Sequence, residues 1–296
     1  MELTISAISV VQYAIGPLNS KEEFWRQVAE HLQQAINDGS KLVVFPEYLT
    51  GTLLALSPVL NHYEACQFID SFTNEYITTF QQFSKETGIT ILGGTHITKE
   101  GDSFVNAAFL FFPDGRYVQQ NKVHLTPEER ARWNLKPGNG FSVYDTAIGR
   151  VGILTCYDIE FPESARALAD MGADIILCPS FTDEAHGYYR VRLCSQARAI
   201  ENQIFVALSG LVGYMPHIPQ IDSGYCQAGI FAPCDYPFPA DGILALGETN
   251  ESMIATGKID MEMLKENRER GQVFPAKDRR PEVYAKYAST TTVTES

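Results

Sequence analysis

The sequence predicts an α/β fold in which mixed β-sheets are buried between helices. Three observations lead there. Short Val/Ile-rich runs alternate with amphipathic helical stretches, residues 104 to 123 read as a hairpin, and strand-like segments recur beyond residue 200, so the sheets cannot be purely parallel. Two sheets packed face to face with helices outside accommodate all three.

Taken in order, Leu3 to Val11 is rich in Ile and Val and alternates as a strand does. Ser20 with Glu23 three residues on is a capping-box signature. The helix it opens has Phe24, Val28, Leu32, Ala35 and Ile36 on its apolar face and stops at Gly39. Lys41 to Phe45 is a short buried strand that delivers Pro46-Glu47-Tyr48. From Tyr63 to Thr87 the residues Phe68, Phe72, Tyr76, Phe80 and Phe83 fall on one helical stripe closed by Gly88, a core pattern. Ile89 to Leu92 is a strand ending on Gly93-Gly94. Phe104 to Phe112 and Tyr117 to Val123 pair across the turn Pro113-Asp114-Gly115-Arg116 and bring Lys122 to a strand end.

Leu125 to Gly140 is charged and punctuated by Pro and Gly, so it reads as a loop with one short helical turn, the kind of segment that carries function. Val151, Ile153 and Leu154 form a buried strand, and Phe161-Pro162-Glu163 opens a helix through Ala165, Leu168 and Ala169. Asp174 to Cys178 is a strand, Gly187 to Glu201 a helix, and Ile204 to Leu208, Ala228 to Ala232 and Ile254 to Ile259 are strands before a last helix, Met261 to Arg270. With no repeat and no linker, residues 1–285 are expected to form one domain and residues 286–296 a flexible tail.

Composition narrows the function. A formal charge of -13 argues against a nucleic-acid surface, which needs clustered Lys and Arg. The N-terminal stretch has no basic region of the signal-peptide kind, no apolar run reaches membrane-spanning length, and a cytoplasmic protein is expected. Six cysteines without a C-x-x-C pair read as reduced thiols. With six scattered histidines they give no metal-ligand spacing, so no metal site is expected.

Three polar residues end three strands: Glu47 after KLVVFP, Lys122 after YVQQN and Cys156 after VGILT. Taken singly, each has an ordinary reading: a solvated Glu at a strand end, an exposed Lys near a hairpin, a small buried thiol. Together they suit nucleophilic catalysis if the strands run the same way and their ends converge. A free thiol with a pKa of about 8.5 is scarcely ionised at neutral pH, so it needs a base and a cation. Glu47 can be the base, and Lys122 can stabilise both a thiolate and an oxyanion. Cys156 is expected on an exposed turn where backbone amides lower its pKa.

FPEYLTG around Glu47, NKVHLTPEE around Lys122 and GILTCYDIEFPE around Cys156 together resemble the three signature motifs of the nitrilase superfamily of carbon–nitrogen hydrolases. ARAIENQIFV and the closing DRRPEVY extend the likeness over essentially the whole chain. The resemblance implies a four-layer α-β-β-α sandwich, assembled as a homodimer or higher homo-oligomer through its outer helices. It implies Cys156 as nucleophile, Glu47 as general base and then acid, Lys122 as oxyanion stabiliser and the Tyr157 N–H as a second oxyanion donor. The family's second glutamate falls on Glu129, with Glu128 its neighbour. The substrate implied is a small amide or N-carbamoyl compound, with no cofactor.

The chain departs from the motif at Glu160, where an arginine often stands before Phe-Pro-Glu. Glu160 is explained either as favourable charge near a helix N-terminus or, as a hypothesis, as a feature of a pocket suited to cationic or neutral amides. Much faster turnover of carboxylate-bearing amides would sink that hypothesis. HLTPEE and the GYYRVRLCSQARAIENQ helix resemble a branch in which some members carry an attached acetyltransferase domain, for which no room is expected here. The alternatives are a catalytically silent scaffold of the same fold, a nitrile-hydrolysing nitrilase, or a cysteine protease pairing Cys156 with His124 or His186.

Overall fold

Strand β1 (Ile5–Ile15) is the seam of the molecule. Its first two-thirds pair antiparallel with β13 (Met253–Asp260) and parallel with β2 (Ser40–Val44). From Gln12 onward it pairs instead with β9 (Phe205–Tyr214), in parallel. At the handover the buried Gln12 side chain donates to the Glu248 and Glu251 carbonyls and accepts from Ala228 N, so the change of partner leaves its polar groups satisfied.

The computed structural model describes residues 5–287. After β1 and β2, whose crossover is helix α1 (Lys21–Asn37), come α2 (His62–Asp70), α3 (Thr73–Thr87), β3 (Thr90–Glu100), β4 (Ser103–Phe111), β5 (Tyr117–Asn121) and α4 (Pro127–Ala131). The second half holds β6 (Val143–Thr146), β7 (Gly149–Ile153), α5 (Pro162–Asp170), β8 (Ile175–Ser180) and α6 (Ala185–Asn202) before β9. β10 (Ser223–Gly224), β11 (Gly229–Phe231) and β12 (Ile243–Leu246) precede β13, and α7 (Met261–Arg270) and α8 (Pro281–Tyr284) follow it. Among the described residues the strands form one hydrogen-bonded network with the main path β5-β4-β3-β2-β1-β9-β8-β7-β6. β8 lies against β2 and β3 although β1 and β9 separate them in that order, so the mixed sheet curls back on itself.

Alternation along the strands divides the interior. In β2 and just beyond it, Val43 and Phe45 join a cluster with Phe24, Val28 and Leu32 of α1 and Tyr76 and Phe80 of α3. Leu42 and Val44 face the other way, into a cluster with Ile153 of β7, Ile176 of β8 and Val206 of β9. Gly152 in β7 is required by the second cluster: a Cβ there would meet the Leu168 side chain of α5 at 2.7 Å.

Several expected boundaries move. The helix read across residues 63 to 87 is two helices, because the Asp70 carboxylate turns to accept from Lys99 N, Thr98 Oγ1 and Thr73 Oγ1 and the chain breaks at Ser71-Phe72. β3 runs through Gly93-Gly94 with an irregular register instead of ending there. β9 extends to Tyr214, and the short β6, β10 and β12 carry no pattern that flagged them. Only half of the capping box of α1 forms: Ser20 accepts from Glu23 N, while the Glu23 carboxylate caps Asn19 N. The tail expected at 286–296 lies, from residue 288 on, outside the described residues. Among the described residues no helix is long and apolar enough to cross a membrane.

Candidate active site

β2, β5 and β7 all run the same way: β2, β1, β9, β8 and β7 are successive parallel neighbours, and two antiparallel steps from β3 restore the direction at β5. Their C-terminal ends deliver Glu47, Lys122 and Cys156 to one cavity of about 530 Å³. Glu129, Tyr157 and Glu160 line the same cavity, whereas His124 and His186 are not among its lining residues.

Lys122 Nζ is the centre of the cluster, 2.9 Å from Glu47 Oε1 and 2.8 Å from Glu129 Oε2, with all three side chains at least 96% shielded from solvent. An ammonium can be buried here because two carboxylates and their own donors compensate it. Asn106 Nδ2, from β4, donates to Glu47 Oε1 at 2.9 Å and to Glu129 Oε1 at 3.0 Å. The Tyr48 hydroxyl donates to Glu129 Oε1 and Phe181 N donates to Glu47 Oε2. Glu129 is placed by the capping box of α4: its carboxylate accepts from Thr126 N, and its own N–H donates to Thr126 Oγ1. That box selects Glu129 over Glu128, which is half-exposed and pairs with Arg132.

Cys156 opens a 3-10 turn, Cys156–Glu160, with φ +47, a left-handed conformation that costs a non-glycine residue about 1–2 kcal/mol. Such strain persists only where the surroundings impose it. The sulfur accepts from Ser180 Oγ at 3.3 Å and faces the Phe181 carbonyl at 3.4 Å. The turn is fixed by Asp158, whose buried carboxylate accepts from Thr155 N, Val123 N, His124 N and His124 Nδ1 and so ties the nucleophile turn to the segment after Lys122. From the other side Arg198 donates to the Ile159 and Glu160 carbonyls.

The exposed turn expected for Cys156 is corrected: the residue is 6% exposed. Burial, reinforced by the Glu47 charge, pushes the thiol pKa up and outweighs Lys122 and the hydrogen bond from Ser180. Burial also raises Glu47, against the opposing pull of Lys122. For Glu129 burial acts upward too, but Lys122 and hydrogen bonds from Thr126 and Asn106 prevail and hold it below the ordinary carboxylate range. Burial acts downward on Lys122, but the charges of Glu129, Glu47 and Cys156 prevail and hold it well above the usual lysine value. Burial thus favours the neutral form of the thiol and raises the proton affinity of Glu47.

Residues 7–269 match the profile of a family described as carbon-nitrogen hydrolase. The chain belongs to the carbon-nitrogen hydrolase family. This is the nitrilase-superfamily assignment that the three motifs suggested. A probable hydrolase of Bacillus subtilis (strain 168) is 42% identical over 277 residues, covering 94% of this chain and 54% of that protein, so the chain spans about half the length of this relative. An omega-amidase of Xenopus tropicalis is 27% identical over 286 residues, 94% of this chain and 96% of its own. A crystal structure of a carbon-nitrogen hydrolase from Helicobacter pylori G27 shares the fold with a TM-score of 0.78 at 20% identity, covering 98% and 100% of the two chains.

Sequence reasoning missed Asn106, Tyr48, Ser180, Phe181 and Asp158. Asn106 carried a signal, a lone polar residue inside the apolar run FVNAAFLFF. Phe181 meets Cys156 and Glu47 through its backbone, which no side-chain pattern announces. The proposed cysteine protease pairing finds His124 bound to Asp158 and His186 at the surface, 3.6 Å from Glu184.

Proposed function

We propose that this carbon-nitrogen hydrolase cleaves the C–N bond of a small amide or N-carbamoyl compound through a Cys156 acyl-enzyme. One observation carries the reading: a buried Lys122 bridges Glu47 and Glu129 beside a strained cysteine in a cavity of substrate size. In the forward step the Glu47 carboxylate takes the Sγ proton as sulfur attacks the carbonyl carbon. The raised thiol pKa makes proton removal concerted with attack instead of prior to it. Two of the three Lys122 N–H groups are held by carboxylates; the third and the Tyr157 N–H receive the developing oxyanion. Glu47 then passes its proton to the leaving nitrogen, and ammonia or an amine departs. Water gives a proton to Glu47 and attacks the thioester; as the C–S bond breaks, Glu47 returns that proton to sulfur, which releases the carboxylic acid and regenerates the thiol.

Glu129 positions Lys122 and does not exchange protons in this scheme, in keeping with its lowered pKa. The sheet's two halves are inferred to face one another as a four-layer sandwich, in which the cluster containing Leu42 and Ile176 is the middle layer. A homodimer or higher assembly is inferred from the exposed Tyr189, Leu193 and Ile200 on α6, and a sizing measurement tests it. A panel of primary amides, N-carbamoyl compounds and nitriles, read by ammonia release, tests the activity. Glu47→Gln is expected to lower kcat by about 10²–10⁴ and His124→Ala far less. The reverse order would favour a Cys/His enzyme, and an inert panel would favour the scaffold.

A further inference from the structure

Away from the catalytic cluster, the wall of the cavity is rich in hydrogen-bond acceptors. Glu128, Glu160, Asp183 and Asp222 line it, and the one cation among those outer lining residues is Arg190. Arg190 is already engaged, with Nε 3.5 Å from Glu160 Oε1, and is itself largely exposed. Glu128 is paired with Arg132, whereas Asp183 and Asp222 have no cationic partner among the described residues.

Gln220 is the second, independent sign. It lines the same cavity at 7% exposure, and its amide nitrogen donates to the Leu60 carbonyl at 2.8 Å. A backbone carbonyl can only accept, so this bond fixes the amide orientation and leaves the Gln220 carbonyl oxygen as an acceptor with no partner among the described residues. An unpaired acceptor on a largely buried side chain, beside carboxylates without a cation, suits a ligand that brings donors and positive charge.

We propose that this wall is a subsite for an ammonium group on the substrate, so that the enzyme prefers amides with a cationic far end. The inference rests on the amide-hydrolase reading of Cys156. Glu160 closes the turn that Cys156 opens, four residues on, about 8 Å away at the rise of a 3-10 helix. A short methylene chain between the scissile carbonyl and the ammonium spans that distance. Tyr48 and Trp133, stacked on each other at 5.2 Å, also line the cavity. A carboxylate at the same end would meet four acidic side chains and a single arginine already paired with one of them.

The test is a matched series of primary amides of one chain length, ending in ammonium, hydroxyl or carboxylate, compared by kcat/KM. The ammonium member is expected to exceed the carboxylate member by at least about tenfold, the weight of one charge-assisted hydrogen bond. The ammonium-to-hydroxyl ratio is expected to fall at least about fivefold in both Glu160→Gln and Asp222→Asn, on the same scale. Equal or better turnover of the carboxylate member, or ratios unmoved in both variants, overturns the subsite. Calorimetric binding of the same compounds to Cys156→Ala separates this failure from that of the amidase reading. If the wild type hydrolyses none while Cys156→Ala binds the ammonium member selectively, the hydrolase reading falls and the subsite stands. If Cys156→Ala shows no such selectivity, the subsite falls.

Discussion

Replacing Lys122 with methionine keeps the volume of the side chain and removes the charge that joins two buried carboxylates. Glu47 and Glu129 then face each other across Asn106 Nδ2, their shared donor. Breaking a buried ion pair from one side costs about 3–5 kcal/mol. The cost should depend on pH in a direction the structure fixes. With Lys122 present, Glu129 is held below its ordinary range. Without it, burial and mutual repulsion raise both carboxyls above their unfolded value of about 4.3, so the folded variant binds protons that the unfolded chain does not. A group raised in this way stabilises fully below its unfolded pKa and loses that contribution as pH climbs through the folded one. For one proton the loss is about 1.4 kcal/mol per pH unit across that interval. Denaturant unfolding of Lys122→Met and wild type at about pH 5 and about pH 8 is therefore expected to show the larger deficit at the higher pH. A deficit that is constant, or larger at the lower pH, would refute the argument that Lys122 is what keeps Glu129 ionised.

Other predictions follow from the same geometry. Glu47 must be deprotonated to act as base and its pKa is raised, so the acid limb of kcat/KM should have its midpoint above about 4.3; a lower midpoint would remove Glu47 from that role. Asp158→Ala strips the acceptor from four donors that hold the Cys156 turn against the Lys122 segment. It is expected to lower kcat by about 10²-fold with a smaller change in KM, as steady-state kinetics would show. Gly94 has φ +73, and a Cβ there would run into the Pro46 carbonyl just before Glu47. Gly94→Ala should thus destabilise by more than about 1–2 kcal/mol in thermal or denaturant unfolding, whereas Gly16→Ala, with open space around it, should stay within about 0.5 kcal/mol.

What the sequence revealed and what it hid divide along physical lines. Glu47 and Cys156 were legible because each interrupts an apolar run at its end, Lys122 because it stands in the motif NKVHLTPEE, and the shared direction of β2, β5 and β7 brings the three together. Glu129 was separable from Glu128 by a local rule, since Thr126 and Glu129 have the spacing of a capping box. The state of the thiol was not legible. Its burial and the Glu47 charge raise its pKa while Ser180 pulls the other way, and these neighbours are distant in sequence. The break between α2 and α3 was hidden for a similar reason: the aromatic stripe continues, and only the pull of Thr98 and Lys99 on Asp70 interrupts the helix. The charge pattern around Glu160 was partly visible as one unusual residue. Its setting among Asp183, Gln220 and Asp222 required the fold.

The central claim is that Cys156 carries the acyl group. Intact and peptide mass measurement after acid quench during turnover of a reactive primary amide tests it most directly. The account predicts a mass increase equal to the acyl group, confined to the peptide containing Cys156, together with loss of turnover in Cys156→Ala. Sustained ammonia release by Cys156→Ala, or an adduct on another residue, would contradict it.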